Sequence, residues 1–452
     1  MNKKAIPFIF ACILMLPVFS QSERKVESIT QNSEILNEAR ELKIYLPADY
    51  NPEEAYPVIY ITDGSGSNFN VARNYMDALS DPAYRIIPSS ILVGIVHRDR
   101  NKELNVFKEE SGKRFMKYLF EEAVPYIDAN YSTSGFNAMI GHSNGAEYNH
   151  FLMLADGNPF RGFISMSTAF NTDMRAEIAK FFEQYQGEQL YYFVANGALD
   201  GPFRVQSGND FEGLYTKSAN KRITFAGQTF EGSHNSMVPN SLLDGLKFIF
   251  QDYNNMENYA TFMEYRDNYK ADMKQRYGIS SSYQFADIEG FWSDILINKK
   301  IEEYEQLVDF INAHQLWPII GIIDPVNQGN QYFFMGAYPE TIASYNKALN
   351  NMGSFEERVY SMSMGRTVLP AYKMEDRMDE VMPFLIRSRE ALGEEEQLLI
   401  NYYIASFSLE NQISLEEGTR ALEYCKANYT ENRLFSKEDL DALEEGRMMR
   451  GR

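Results

Sequence analysis

Gly141-His142-Ser143-Asn144-Gly145 has the spacing of a nucleophile elbow, and the chemistry that suits it is attack on a carbonyl carbon by a serine hydroxyl. The turn is tight, so side chains at its two glycines would collide with the neighbouring strand and helix. A serine hydroxyl is a weak nucleophile near neutral pH. It needs a base within hydrogen-bond reach and an acid that orients the base. In a strand-turn-helix setting these follow the serine in the order acid, then histidine. The chain has five histidines. His142 adjoins the serine and should point away from it, His150 lies two helical turns further on, His97 comes earlier, and His314 falls in a distant helical region. His234 alone follows in a loop beyond the last expected strand, among the small polar residues Gly232-Ser233-His234-Asn235-Ser236, and is the expected base. Asp200 is the favoured acid because it lies past the carboxyl end of a strand, where open α/β sheets gather their sites. Asp210 and Glu212 are its rivals. The backbone N–H of Asn144, with a second from Gly64 or Ser65, is expected to receive the developing oxyanion. His97 and Arg100, in the charged cluster at another strand end, are the expected substrate-binding side chains.

The elements that must hold these residues are legible as patterns. Residues 28–36 and 41–46 alternate partially and read as opening strands on an antiparallel edge; 57–62, 90–96, 138–140, 162–166, 189–195 and 222–225 read as buried strands. Between them, 70–79, 112–127, 146–156, 173–185, 210–218 and 241–250 have helical character, and 228–239 is expected to be the loop that holds His234. Buried strands alternating with helices predict a mostly parallel sheet wrapped by helices. From about residue 254 strand runs vanish. Residues 301–314 form an amphipathic pattern, Asp324-Pro325 reads as a helix start, and 331–335 with 339–350, then 394–409 with 415–429, read as helical hairpins. Gly336, Ala343, Ala405 and Ala421 are small where such pairs should pack closely. The hairpins resemble tetratricopeptide-type repeats of irregular period.

Composition narrows the partners. The chain has 452 residues, is 44% hydrophobic and 14% aromatic, and carries a formal charge of −20. That balance repels phosphate backbones and argues against nucleic acid. Residues 1–20 have the make-up of a secretory signal: Lys3 and Lys4, then the apolar run 5–18, then Val18-Phe19-Ser20 before a cleavage point at Gln21. The run is too short for a comfortable membrane span. Cleavage removes Cys12 and leaves Cys425 as the single cysteine, so no intramolecular disulfide is expected. With neither an H-E-x-x-H motif nor a cysteine pair, no metal is expected. The 63–66 loop lacks the Lys-Ser/Thr ending of a phosphate cradle, and no cofactor is expected.

The first 250 or so residues resemble the putative-esterase (esterase D-like) family of α/β-hydrolases. The likeness runs through Tyr45-Leu-Pro-Ala-Asp-Tyr50, Tyr56-Pro-Val-Ile-Tyr-Ile-Thr-Asp-Gly64, Val93-Gly-Ile with Arg100 after it, the stretch 115–131 around Val124-Pro-Tyr-Ile-Asp128, and Gly141-His-Ser-Asn-Gly145. The resemblance implies Ser143 as nucleophile, His234 as base and an acid near Asp200. The family includes siderophore esterases and carbohydrate feruloyl or acetyl esterases, and some members carry a helical repeat tail. Family members often have Leu-Gly-Gly after the serine; Asn144-Gly145-Ala146 stands here, so substrate preference does not carry over. The expected protein is an exported, secreted or periplasmic serine esterase, with a signal at 1–20, a hydrolase domain at 21–253 and a helical domain at 254–452. The helical part is expected to bind a protein partner or self-associate. The rival reading is a non-catalytic hydrolase-fold scaffold whose tail grips a partner.

Overall fold

The computed structural model describes residues 26–105, 110–316, 324–350, 352–432 and 434–450. The expected signal, residues 1–20, lies outside them. The chain forms two compact units, one of residues up to Asn258 with Asp267–Ser282, the other of Tyr259–Arg266 with Tyr283 onward.

The first unit is built on eight strands: β1 Val26–Ser33, β2 Glu38–Tyr45, β3 Tyr56–Ile61, β4 Ile91–Ile95, β5 Thr133–His142, β6 Phe160–Met166, β7 Leu190–Gly197 and β8 Ile223–Phe230. Their order in the sheet is β1-β2-β4-β3-β5-β6-β7-β8. The β1–β2 and β2–β4 pairs are antiparallel and every other pair is parallel. β3, β4 and β7 are buried along their whole length, which is why they read as unbroken apolar runs rather than alternating ones. Helices follow the strands: α1 Ser67–Leu79, α2 Arg100–Glu103, α3 Glu110–Tyr118, α4 Val124–Asn130, α5 Asn144–Leu154, α6 Thr172–Gln184, α7 Pro202–Ser218 and α8 Val238–Ile249. The helix expected over 112–127 is interrupted by a wide turn at Leu119–Ala123, and α7 begins eight residues before the expected start. β8 runs to Phe230, beyond the expected 225; it is the edge strand, and its exposed Gly227, Gln228 and Thr229 carry no apolar signal.

The second unit is helical. Its segments include Phe285–Ile297, Ile301–His314, Pro325–Met335, Tyr338–Ala348, Ser354–Met364, Val381–Ala391, Gln397–Asn411, Leu415–Asn428 and Lys437–Arg450. Asp324 caps its helix by accepting from the N–H groups of Val326 and Asn327, and Pro325 follows at the first helical position. Ala405 and Ala421 are buried between helices. Ala343 is exposed and Gly336 has open space around it at φ 81°, so neither permits a close approach. Gly418 and Gly329 take that role. A Cβ on Gly418 would lie 2.1 Å from Ser408 Oγ, and one on Gly329 would lie 2.7 Å from the Tyr345 ring. No helix among the described residues is long and apolar enough to cross a membrane.

Candidate active site at the carboxyl ends of the strands

Ser143 stands between β5 and α5 with φ 58° and ψ −120°, a conformation that costs energy for any residue with a Cβ. The fold over-determines it. A Cβ on Gly141 would sit 2.2 Å from the Gly145 carbonyl oxygen, and one on Gly145 would sit 2.4 Å from Thr62 Oγ1. The Ser143 N–H donates to Met166 O at 3.0 Å, and Ser143 O accepts from the Glu147 N–H at 3.0 Å. Asn144 is the first residue of α5, so its N–H has no partner inside the helix and points where negative charge is best received. Among the described residues Ser143 Oγ makes no hydrogen bond.

Asp200 and His234 are brought together. His234 Nδ1 lies 3.2 Å from Asp200 Oδ1, with the Asp200 side chain only 3% exposed and His234 35% exposed. The loop between β8 and α8 carries His234, and His142 pins it: His142 Nε2 lies 2.8 Å from His234 O, which can only accept. The His142 ring therefore carries its proton on Nε2. Burial, ahead of the charges around it, holds His142 below the usual imidazole range, in keeping with a neutral ring. Burial pushes the Asp200 carboxyl up, but the Ser167 hydroxyl, the Gly201 N–H and His234 together hold it below the usual range. Asp210 pairs instead with Arg175 at 3.1 Å, and Glu212 is exposed on α7.

Three expected residues turn out differently. The Gly64 N–H already donates to Ile95 O at 2.8 Å, so it has no hydrogen to offer an oxyanion. Gly64 is a glycine for space, since a Cβ there would lie 2.4 Å from the Gly94 carbonyl carbon. Of the two expected donors in this loop, that leaves Ser65 as the candidate. His97 does not face a cleft: its side chain is 5% exposed and Nδ1 lies 2.6 Å from Glu103 Oε2. Glu103 is also held by Arg40, whose side chain is 1% exposed and donates at 2.8 and 2.9 Å to the two carboxylate oxygens. That buried cluster is structural. Arg100 is likewise engaged, donating to both oxygens of Asp63 at 2.5 and 2.9 Å and to His142 O at 3.1 Å, so it ties the end of β3 to the elbow.

Sequence reasoning passed over Ser167, Glu147 and Arg204. Ser167 follows β6 with φ 57°; its hydroxyl donates to Asp200 and lies 2.6 Å from His234 Nδ1. Arg204, on α7, donates to Ser167 O and pairs with Glu147 of α5 at 3.2 Å. Burial, opposed by Arg204, raises the Glu147 carboxyl. The strand-end rule that selected Asp200 selects Ser167 equally well, since it directly follows a buried strand. Of the other histidines, His150 is fully buried between Tyr192 and Thr168, its pKa driven down to about 3 by burial, and His314 packs on Phe310 and Tyr283 in the helical unit. Among the described residues no group of three or more His, Cys, Asp or Glu side chains is arranged to hold a metal ion.

An eight-stranded, mostly parallel sheet with a strained serine at a strand-to-helix turn defines an α/β-hydrolase. The chain belongs to the putative esterase family, whose model matches residues 33–210, and is thereby a carboxylic ester hydrolase. It is 31% identical over 173 residues to the uncharacterized protein YjcH of Bacillus subtilis (strain 168), covering 37% of this chain and 71% of that one. Two crystal structures share the fold. An uncharacterised protein from Capnocytophaga ochracea DSM 7271 matches with a TM-score of 0.58 at 19% identity, over 72% of this chain and 94% of that one. An IroE-like serine hydrolase from Shewanella oneidensis matches with a TM-score of 0.51 at 22% identity, over 65% and 95%.

Proposed function

We propose that this chain is an exported serine esterase working through an acyl-enzyme, with Ser143, His234 and Asp200 as its triad. His234 Nε2 takes the Ser143 proton as Oγ bonds to the ester carbonyl carbon. The N–H groups of Asn144 and Ser65 receive the oxyanion. The C–O bond to the alcohol then breaks, and the imidazolium returns the proton to the leaving oxygen. Water, deprotonated by the same ring, releases the acid and restores Ser143. One observation carries the reading: a loop histidine that follows a left-handed elbow serine in the chain has its Nδ1 3.2 Å from the buried Asp200 carboxylate. With Nδ1 turned to that side, the Nε2 lone pair is left for the serine. The substrate is a small-molecule ester, with sugar or siderophore alcohols the classes to assay first. Residues 1–20 as a signal, and a tetratricopeptide-like role for residues 254–452, belong to the same proposal.

Fluorophosphonate labelling tests it. Wild type is expected to label at Ser143 and to hydrolyse a small aryl ester; Ser143→Ala should lose both, with a rate loss of roughly 10³-fold or more and an unchanged melting temperature. Full hydrolysis by Ser143→Ala would overturn the mechanism.

A further inference from the structure

We propose that Ser167 is a positioning residue for the base, its hydroxyl interposed between His234 and Asp200. The inference rests on His234 acting as the base of Ser143. The hydrogen-bond directions are forced. The Ser167 O–H donates to the Asp200 carboxylate, which has no proton of its own to give, so Ser167 Oγ is left to accept from His234 Nδ1–H. The histidine proton is therefore fixed on Nδ1, and Nε2 keeps its lone pair for the nucleophile. The contact through Ser167 is also the better one. His234 Nδ1 lies 2.6 Å from Ser167 Oγ but 3.2 Å from Asp200 Oδ1, which is long for a bond to a carboxylate.

The backbone argues the same way. Ser167 is fully buried at φ 57°, a place that favours glycine. A residue with a side chain stands there nonetheless, and three contacts hold its peptide. The Ser167 N–H donates to Ala195 O at 2.6 Å, Ser167 O accepts from Arg204, and Arg204 is braced by Glu147 from the helix that begins at the nucleophile. One strut thus joins the ends of β6 and β7, the elbow helix and α7 behind a single hydroxyl.

The test compares Ser167→Ala, Ser167→Gly and Ser143→Ala with wild type on a small aryl acetate and in fluorophosphonate labelling. Glycine suits the left-handed backbone, so Ser167→Gly removes the hydroxyl without adding strain and serves if the alanine variant folds poorly. The expected result for both Ser167 variants is a kcat reduced roughly 10- to 100-fold with KM within about twofold. Labelling should still reach completion, but more slowly in the same proportion. A merely structural role would instead lower the fraction of sites that label at all and leave the rate of the remainder unchanged, and that outcome overturns the inference. So does a Ser167→Gly variant as active as wild type; with Ser143→Ala inactive, the triad would stand without Ser167. Retained activity in Ser143→Ala would remove the nucleophile, and the inference with it.

Discussion

The two units put the left-handed backbone region to different uses, although Ala219 at φ 48° closes α7 in the sheet unit as well. In the helical unit it terminates helices. Gln315, Gly336 and Gln412 have φ of 53°, 81° and 59°, and each turns its N–H back onto a carbonyl of the last helical turn. In the sheet unit it also lies just beyond strand ends. Asp63, Ser143 and Ser167, just beyond β3, β5 and β6, have φ of 60°, 58° and 57°. A helix end gains satisfied carbonyls from the turn. A parallel strand end gains none of that, but it gains a side chain thrown sideways toward its neighbours: Asp63 meets Arg100, and Ser167 meets the Asp200–His234 pair. Two buried polar clusters differ in reach. In the helical unit Tyr345 Oη lies 2.6 Å from each of Asn330, Ser363 and Thr367, all near it in the chain. In the sheet unit Arg40 pairs with Glu103, a charged partner from a distant segment.

Substitutions can break this contrast. The largest effect is expected at a strand end: Asp200→Asn should lower kcat by about 10⁴-fold while the melting temperature stays near wild type, because the amide no longer holds the working tautomer. Steady-state kinetics beside thermal unfolding checks both halves. Next comes the buried cluster around His97, the one of its members expected to touch substrate. Arg40→Met strips Glu103 of its guanidinium and should cost about 3–5 kcal/mol of stability in urea unfolding, with kcat per folded molecule unchanged. The cost should shrink in acid. Burial pushes the Glu103 carboxyl up, but His97, Arg40 and the Asp99 N–H outweigh it and hold the group far below its ordinary value. A carboxyl depressed in the folded state contributes its stability above the unfolded pKa and loses it as pH falls toward the folded one. The gap between wild type and Arg40→Met should therefore narrow as pH drops below about 4.3. The smallest effect is expected at a helix end: Gly336→Ala, with open space for its methyl, should cost about 1 kcal/mol through backbone strain alone and leave hydrolysis untouched. A large kcat loss there would erase the distinction between the units.

Much of the sheet unit was legible because its signals are local. Gly141 and Gly145 flank the serine at fixed spacing, and the buried strands are apolar runs. Elements without a local signal were read short or missed. In the edge strand β8 the apolar pattern ends at 225 because the outer half is polar. The start of α7 at Pro202 was passed over although Gly201-Pro202 is a reasonable helix entry. Ala343 is small but exposed, because smallness implies nothing about which side of a helix faces inward.

The amino-acid order alone determined which residues have reactive chemistry and which turns only glycine permits, because both are properties of a few neighbouring side chains. Partnership was decided in three dimensions. Whether His97 or His234 is offered to a cleft, whether Gly64 has a hydrogen to spare, and whether a serine stands between an imidazole and a carboxylate each depend on contacts between segments far apart in the chain. Such contacts exist only once the sheet has ordered its strands, and no local pattern records them.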